Sequence, residues 1–166
     1  MIFVTVGSDT PFDRLIKTVD RWAFGNGRRD VFAQIGKNAW KPQFVAYSDM
    51  LGPRDFTHHV KAARVVVGHA GMGTILTALQ LKTPLLVMPR RGGMGETRND
   101  HQMDTARMLE SIDGIDVALD ERELVEKLRG IDDEKNFVTI CSHAEESLTA
   151  SIRDFIHQNR KSWAIQ

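Results

Sequence analysis

Arg64-Val65-Val66-Val67-Gly68-His69-Ala70-Gly71-Met72-Gly73-Thr74 is the stretch on which the fold turns. Three consecutive valines leave a strand no polar face, so it must be covered on both sides, as strands of a parallel sheet are. After the glycines, apolar residues recur at helical spacing from about Gly71 to Leu81, and a second apolar run, Pro84 to Met88, follows. Upstream, Ile2 to Val6 reads as a buried strand ending at Gly7-Ser8. Pro11 suits a helix start, Phe12, Leu15, Ile16 and Val19 keep helical spacing, and Gly25-Asn26-Gly27 stops that helix. Asp30 to Ile35 is a strand, Phe44 to Tyr47 a weaker one, and Asp55 to Ala63 a short helix. Downstream, residues 89 to 98 hold three glycines and four charges and read as a mobile loop. Asn99 to Ile112 is helical, Ile115 to Ala118 a strand, and Asp120 to Leu128 a helix with Asp120 as N-cap. A longer helix is expected from Ser142 to about Asn159, with Leu148, Ile152, Phe155 and Ile156 on one face. The alternation predicts an α/β, Rossmann-like domain: a mostly parallel sheet with helices on both faces. Residues 1–166 read as one domain, with a C-terminal helix and tail over about 142–166.

Composition narrows the function. In 166 residues, 22 basic and 22 acidic side chains cancel, which removes the basic field a generic nucleic-acid binder needs. The single cysteine, Cys141, cannot form an internal disulfide and points to a reducing compartment. MIFVTVGSDT lacks the basic and long apolar regions of a secretory signal, and no apolar run approaches the roughly 18 residues of a membrane span. The expectation is a soluble, cytoplasmic domain.

In a parallel sheet, ligands bind beyond the carboxyl ends of the strands. Three segments follow such ends: Gly7-Ser8-Asp9-Thr10-Pro11, Gly68 to Thr74, and Pro89 to Gln102. Gly71 and Gly73 bracket a helix start, where free amides and the helix dipole favour an anion, and Thr74 adds a hydroxyl. The spacing is neither the dinucleotide fingerprint nor a Walker loop, and close helix–strand packing explains it about as well. Arg90, Arg91 and Arg98 bring positive charge, while Asp100, His101 and Gln102 form a polar cluster suited to sugar hydroxyls. The glycines among them suggest a lid. His58-His59 lack metal-ligand spacing and read as helix surface, His143 and His157 as solvated, and Cys141 as structural. No Gly-x-Ser-x-Gly elbow and no Asp-x-Asp pair occurs.

Taken in order, Val4-Thr5-Val6-Gly7 with Pro11-Phe12, Gln34-Ile35-Gly36, Gly68 to Thr74, Thr83-Pro84 to Pro89, and Asn99-Asp100-His101-Gln102 form a specific set. The sequence resembles the C-terminal, donor-binding half of family-28 glycosyltransferases of the GT-B fold. Within it, the likeness is to stand-alone versions. One is the soluble subunit of the eukaryotic two-subunit GlcNAc transferase. Closer are small bacterial exopolysaccharide subunits, described as glucuronosyltransferases, that pair with a membrane-attached partner. The resemblance implies inverting, metal-independent transfer from a UDP-sugar to a lipid-diphosphate-linked sugar, with no cofactor. It places the chain at the inner face of the membrane through an acceptor-binding partner. It assigns the diphosphate to Gly7, Ser8, Gly71, Met72, Gly73 and Thr74, and the sugar to Asp100, His101 and Gln102. The family's ribose-binding Glu falls at Thr77, a shorter and neutral group. A uronate carboxylate would be matched by Arg90, Arg91 or Arg98. His69 and His101 are the candidate bases, unless the base belongs to the acceptor half. The competing class is a non-enzymatic nucleotide-binding or interaction module. A receiver-like domain would want a carboxylate cluster that Asp9 alone does not supply, and a nicotinamide dehydrogenase lacks its glycine fingerprint. Trp163 in the tail is a candidate anchor for a partner.

Overall fold

A computed structural model describes residues 1–132. Six strands form one parallel sheet: β1 (Ile2–Thr5), β2 (Val31–Gln34), β3 (Ala46–Ser48), β4 (Val65–Gly68), β5 (Leu85–Val87) and β6 (Ile115–Val117), in spatial order β3-β2-β1-β4-β5-β6. The order reverses between β1 and β4, which is where such sheets open a crevice for ligands. Five α-helices connect them: α1 (Asp13–Gly25), α2 (Pro53–Ala62), α3 (Met72–Gln80), α4 (His101–Leu109) and α5 (Glu121–Arg129). The expected C-terminal helix, with Cys141, His143, His157 and Trp163, lies outside the described residues.

Alternation along the strands divides the apolar side chains between two cores. Ile2, Val4, Val65, Val67 and Leu86 point to one face, where α1 lays down Leu15, Ile16 and Val19 and α5 adds Leu124 and Leu128. Phe3, Val66, Leu85 and Val87 point to the other, under Val60 of α2, Ile75 and Ala78 of α3, and Ala106 and Leu109 of α4. Each valine of β4 is fully buried, worth roughly 1.5–3 kcal/mol apiece, so the central strand is anchored from both sides.

The elements sit close to their sequence-based limits, and the departures have local causes. β3 begins at Ala46 because the amides of Phe44 and Val45 donate to the buried carboxylate of Asp20, both at 2.9 Å, rather than to a sheet ladder. α1 begins at Asp13, two residues beyond Pro11, whose carbonyl accepts from Arg90 at 2.6 Å. α4 begins at His101 because the Asp100 carboxylate accepts from the Gly92 amide at 2.7 Å instead of capping the helix. Asp120 caps α5 as expected, accepting from the Glu123 amide at 2.9 Å. The stretch read as a mobile loop contains a 3-10 turn, Gly92–Met94, and is tied down on both flanks. Arg14 of α1 grips Glu96 through both carboxylate oxygens, at 2.7 and 2.8 Å, and Glu96 also accepts from the Arg91 amide. No helix among the described residues is long and apolar enough to cross a membrane.

Candidate functional site

Parallel strands deliver their following loops to one edge of the sheet. There the loops after β1, β3, β4 and β5 enclose a cavity of about 480 Å³. Gly7, Ser8, Asp9 and Thr10 form one wall, and Gln34 at the end of β2 forms the floor beside them. His69, Gly73, Thr74 and Thr77 come from β4 and α3, and Arg90, Thr97 and Gln102 close the far side. Opposite them, Met50, Leu51 and Phe56 make an apolar wall. A larger groove, about 980 Å³, runs between α1 and α5. It lies along the helix flanks, away from the strand ends, and gathers none of the loop residues that follow β1 or β4.

The start of α3 is open to an anion. The first helical bond is from the Ile75 amide to Gly71 O, and the Gly71 amide turns back to His69 O at 2.8 Å. The amides of Met72, Gly73 and Thr74 have no acceptor among the described residues, so three donors at the positive end of the helix face outward. A Cβ on Gly73 would meet nothing within 4 Å, so the approach is clear. Thr74 is buried, and its hydroxyl has no partner among the described residues. One turn on, Thr77 donates to Gly73 O at 2.8 Å and keeps its lone pairs to accept a ligand hydroxyl.

The flanking glycines answer to His69. Its imidazole lies between the two loops: a Cβ on Gly71 would stand 2.1 Å from Nε2, and one on Gly7 would stand 2.7 Å from Cε1. Gly7 also has φ +76°, a conformation that penalises any side chain. Nδ1 is buried without a partner. Burial, reinforced by the charge of Arg90, pushes the imidazole down to about 4, so it is neutral near pH 7. Gly7 gives its own amide to Thr5 Oγ1 at 3.1 Å and its carbonyl to Gln34 Nε2 at 2.8 Å. The amide of Gly7 is therefore turned away from a ligand, and Gln34 Oε1 is left buried without a partner.

Arg90 occupies a different place from the one its charge suggested. It is 2% exposed, and its guanidinium donates to Val6 O, Thr10 O, Thr10 Oγ1, Pro11 O and Glu96 O at 2.5–3.2 Å, over the ring of Phe12. Both terminal nitrogens are spent inside the protein, so it is a tie between the loops after β1 and β5 and has no fork left for a carboxylate. Arg91 donates to Leu119 O at 2.8 Å, towards α5. Arg98 is exposed and outside the cavity lining. Of the polar cluster, only Gln102 reaches the cavity; Asp100 and His101 are exposed outside it. The Arg90 amide donates to Gln102 Oε1 at 3.1 Å, which fixes the amide and presents its NH₂ as donor. Asp9, Gln34 and the Met50–Phe56 wall were not marked as site residues from the sequence. A polar residue closing an apolar strand was the available signal for Gln34. Met50, Leu51 and Phe56 look like ordinary apolar positions and carry no signal. Among the described residues no three His, Cys, Asp or Glu side chains converge to hold a metal.

A cavity at the β1–β4 switch point, with a free helix start and a fixed glutamine in its lining, marks an α/β domain that binds an anionic ligand at the carboxyl ends of its strands. Residues 1–159 match the model of the glycosyltransferase family 28 C-terminal domain, and the chain belongs to that family. Solved structures share the fold. The NMR structure of ALG13 matches at 19% identity and TM-score 0.59, over 86% of this chain and 90% of that one. The glycosyltransferase of kitacinnamycin matches at 17% identity and TM-score 0.60, over 81% of this chain. SnogD from Streptomyces nogalater matches at 20% identity and TM-score 0.54, also over 81%. The chain spans 35% of the length of each of these last two. No curated protein matches.

Proposed function

We propose that this chain is the donor-binding catalytic subunit of a two-subunit, inverting glycosyltransferase. It takes a UDP-sugar and serves a lipid-diphosphate-linked acceptor presented by a membrane-attached partner, in exopolysaccharide or glycan synthesis. In this reading it works in the cytoplasm, at the inner face of the membrane. The observation that carries it is the row of open amides at Met72, Gly73 and Thr74, the last two lining a cavity that also holds Gln102. A diphosphate laid on those amides and the Thr74 hydroxyl would have its charge met by the helix start rather than by a metal. Its sugar would then lie towards Gln102, after β5. Its nucleoside would run the other way across the sheet, past Thr77 to the apolar wall of Met50, Leu51 and Phe56. With Arg90 and Arg91 committed to carbonyls and Arg98 outside the cavity, a uronate there would depend on the Gln102 amide.

The test is thermal denaturation of the chain with UDP, ADP or NAD and no Mg²⁺. UDP at a hundred times its Kd stabilises by about 2.7 kcal/mol, an upshift of roughly 5–10 °C for a chain of this size. Equal shifts with ADP or NAD, or none with UDP, reject the reading and leave the non-enzymatic module. Isolation from native cells should bring a membrane-attached protein along. Titration with UDP-glucuronate against UDP-glucose decides the sugar: equal affinities reject glucuronate.

A further inference from the structure

The loop between β1 and α1 is braced at both ends and free in the middle. At one end Gly7 is held through both its amide and its carbonyl, by Thr5 and Gln34. At the other, Arg90 holds Thr10 and Pro11 through three acceptors. Between them stands a two-residue tip, Ser8-Asp9, both lining the cavity. Asp9 is the one carboxylate among the described residues that lines it, and it makes no hydrogen bond or ion pair with them. Its charge favours the protonated forms of Arg90 and His69, and the loop that carries it is fixed.

Its place is specific. One side of the tip adjoins His69 and the α3 start, through Gly7. The other side is joined through Thr10 to Arg90, whose amide holds Gln102. Asp9 therefore lines the same cavity as the α3 start and Gln102, the two groups that receive the diphosphate and the sugar in the reading above. A carboxylate there opposes binding of an anion, so it is a cost to affinity. The other candidate bases are worse placed: the His69 ring is wedged between glycines with a buried Nδ1, and His101 lies outside the cavity.

We infer that Asp9 is the catalytic base, taking the proton of the acceptor hydroxyl. This rests on the UDP-sugar transferase reading. As the acceptor oxygen forms its bond to the anomeric carbon, the bond from that carbon to the β-phosphate oxygen breaks. The electron pair leaves on UDP, and the acceptor proton passes to the Asp9 carboxylate.

The experiment compares wild type with Asp9→Asn, Asp9→Ala and Asp9→Glu, each expressed in place of the native copy. Binding is read as the UDP shift of the purified chain. Transfer is read as label moved from UDP-[¹⁴C]glucuronate or UDP-[¹⁴C]glucose to the lipid fraction of native membranes. Asp9→Asn should bind UDP as tightly as wild type or tighter and transfer about 10²–10⁴-fold more slowly. Sodium formate should restore part of the rate of Asp9→Ala, and Asp9→Glu should keep more activity than Asp9→Asn. Transfer by Asp9→Asn within a few-fold of wild type overturns the inference, and so does loss of UDP binding in step with transfer. A wild-type chain that UDP does not stabilise removes the donor reading and the role of Asp9 with it. UDP binding with unimpaired Asp9→Asn transfer removes the role of Asp9 alone.

Discussion

His69 makes the domain sensitive to mild acid, and the size of the effect follows from its burial. In the unfolded chain its imidazole takes a proton near its ordinary 6.5; in the folded protein, desolvated and beside Arg90, it does so only near 4. Between those values the unfolded state binds a proton that the folded state refuses, so stability is full above 6.5 and falls as the pH drops towards 4. Each tenfold step in proton concentration is worth about 1.4 kcal/mol, and the whole window therefore costs about 3 kcal/mol. That is a large share of the roughly 5–15 kcal/mol available to a domain. The carboxylates whose values are lowered, Asp30 and Asp132, titrate below this window and so do not mask it. The measurement is urea unfolding of wild type and His69→Gln at pH 7 and pH 4.5. Wild type should lose most of the 3 kcal/mol between them, and the variant should lose far less. Equal losses in the two proteins would refute the reasoning.

Three further outcomes test the geometry of the site and the placement of β3. Gly71→Ala puts a Cβ 2.1 Å from His69 Nε2 and should cost about 1–3 kcal/mol together with UDP binding. Gly73→Ala meets nothing within 4 Å, so it should keep its melting temperature while weakening UDP by obstructing the open amides. Asp20→Ala strips an acceptor from the amides of Gln43, Phe44 and Val45. It should lower stability by about 2–4 kcal/mol, read by the same urea titration, without altering the UDP shift per unit of occupancy.

The layered fold was legible because its signals are local. The valines of β4 and the caps around α5 specify themselves within a few residues, and the order of strands and helices follows from period alone. What escaped depends on partners far along the chain. Asp20 is a charge beside the apolar face of α1, one turn from Ile16, and nothing local explains its 7% exposure: a segment over twenty residues later turns its amides onto it. Arg90 looks like a free cation in a glycine-rich loop, and only the folded arrangement sets it against four carbonyls. In the site, the Gly71–Thr74 helix start was visible as chemistry. Asp9 was not, because one carboxylate in a loop has no meaning until a cavity is drawn around it.

The ties of Arg14 and Arg90 also bear on how fast a ligand comes and goes. With Arg90 and Glu96 fastened to α1 and the loop after β1, the stretches left to swing are short, Gly93-Met94-Gly95 and Thr97-Arg98, and three residues reach at most about 10 Å. A door of that size does not gate a nucleotide. Entry is then limited by diffusional encounter and by orientation at the mouth, and residence time is set by the ligand's own contacts rather than by a slow opening step. Solvent viscosity should therefore slow association and dissociation in parallel, with no plateau in the observed rate as ligand concentration rises.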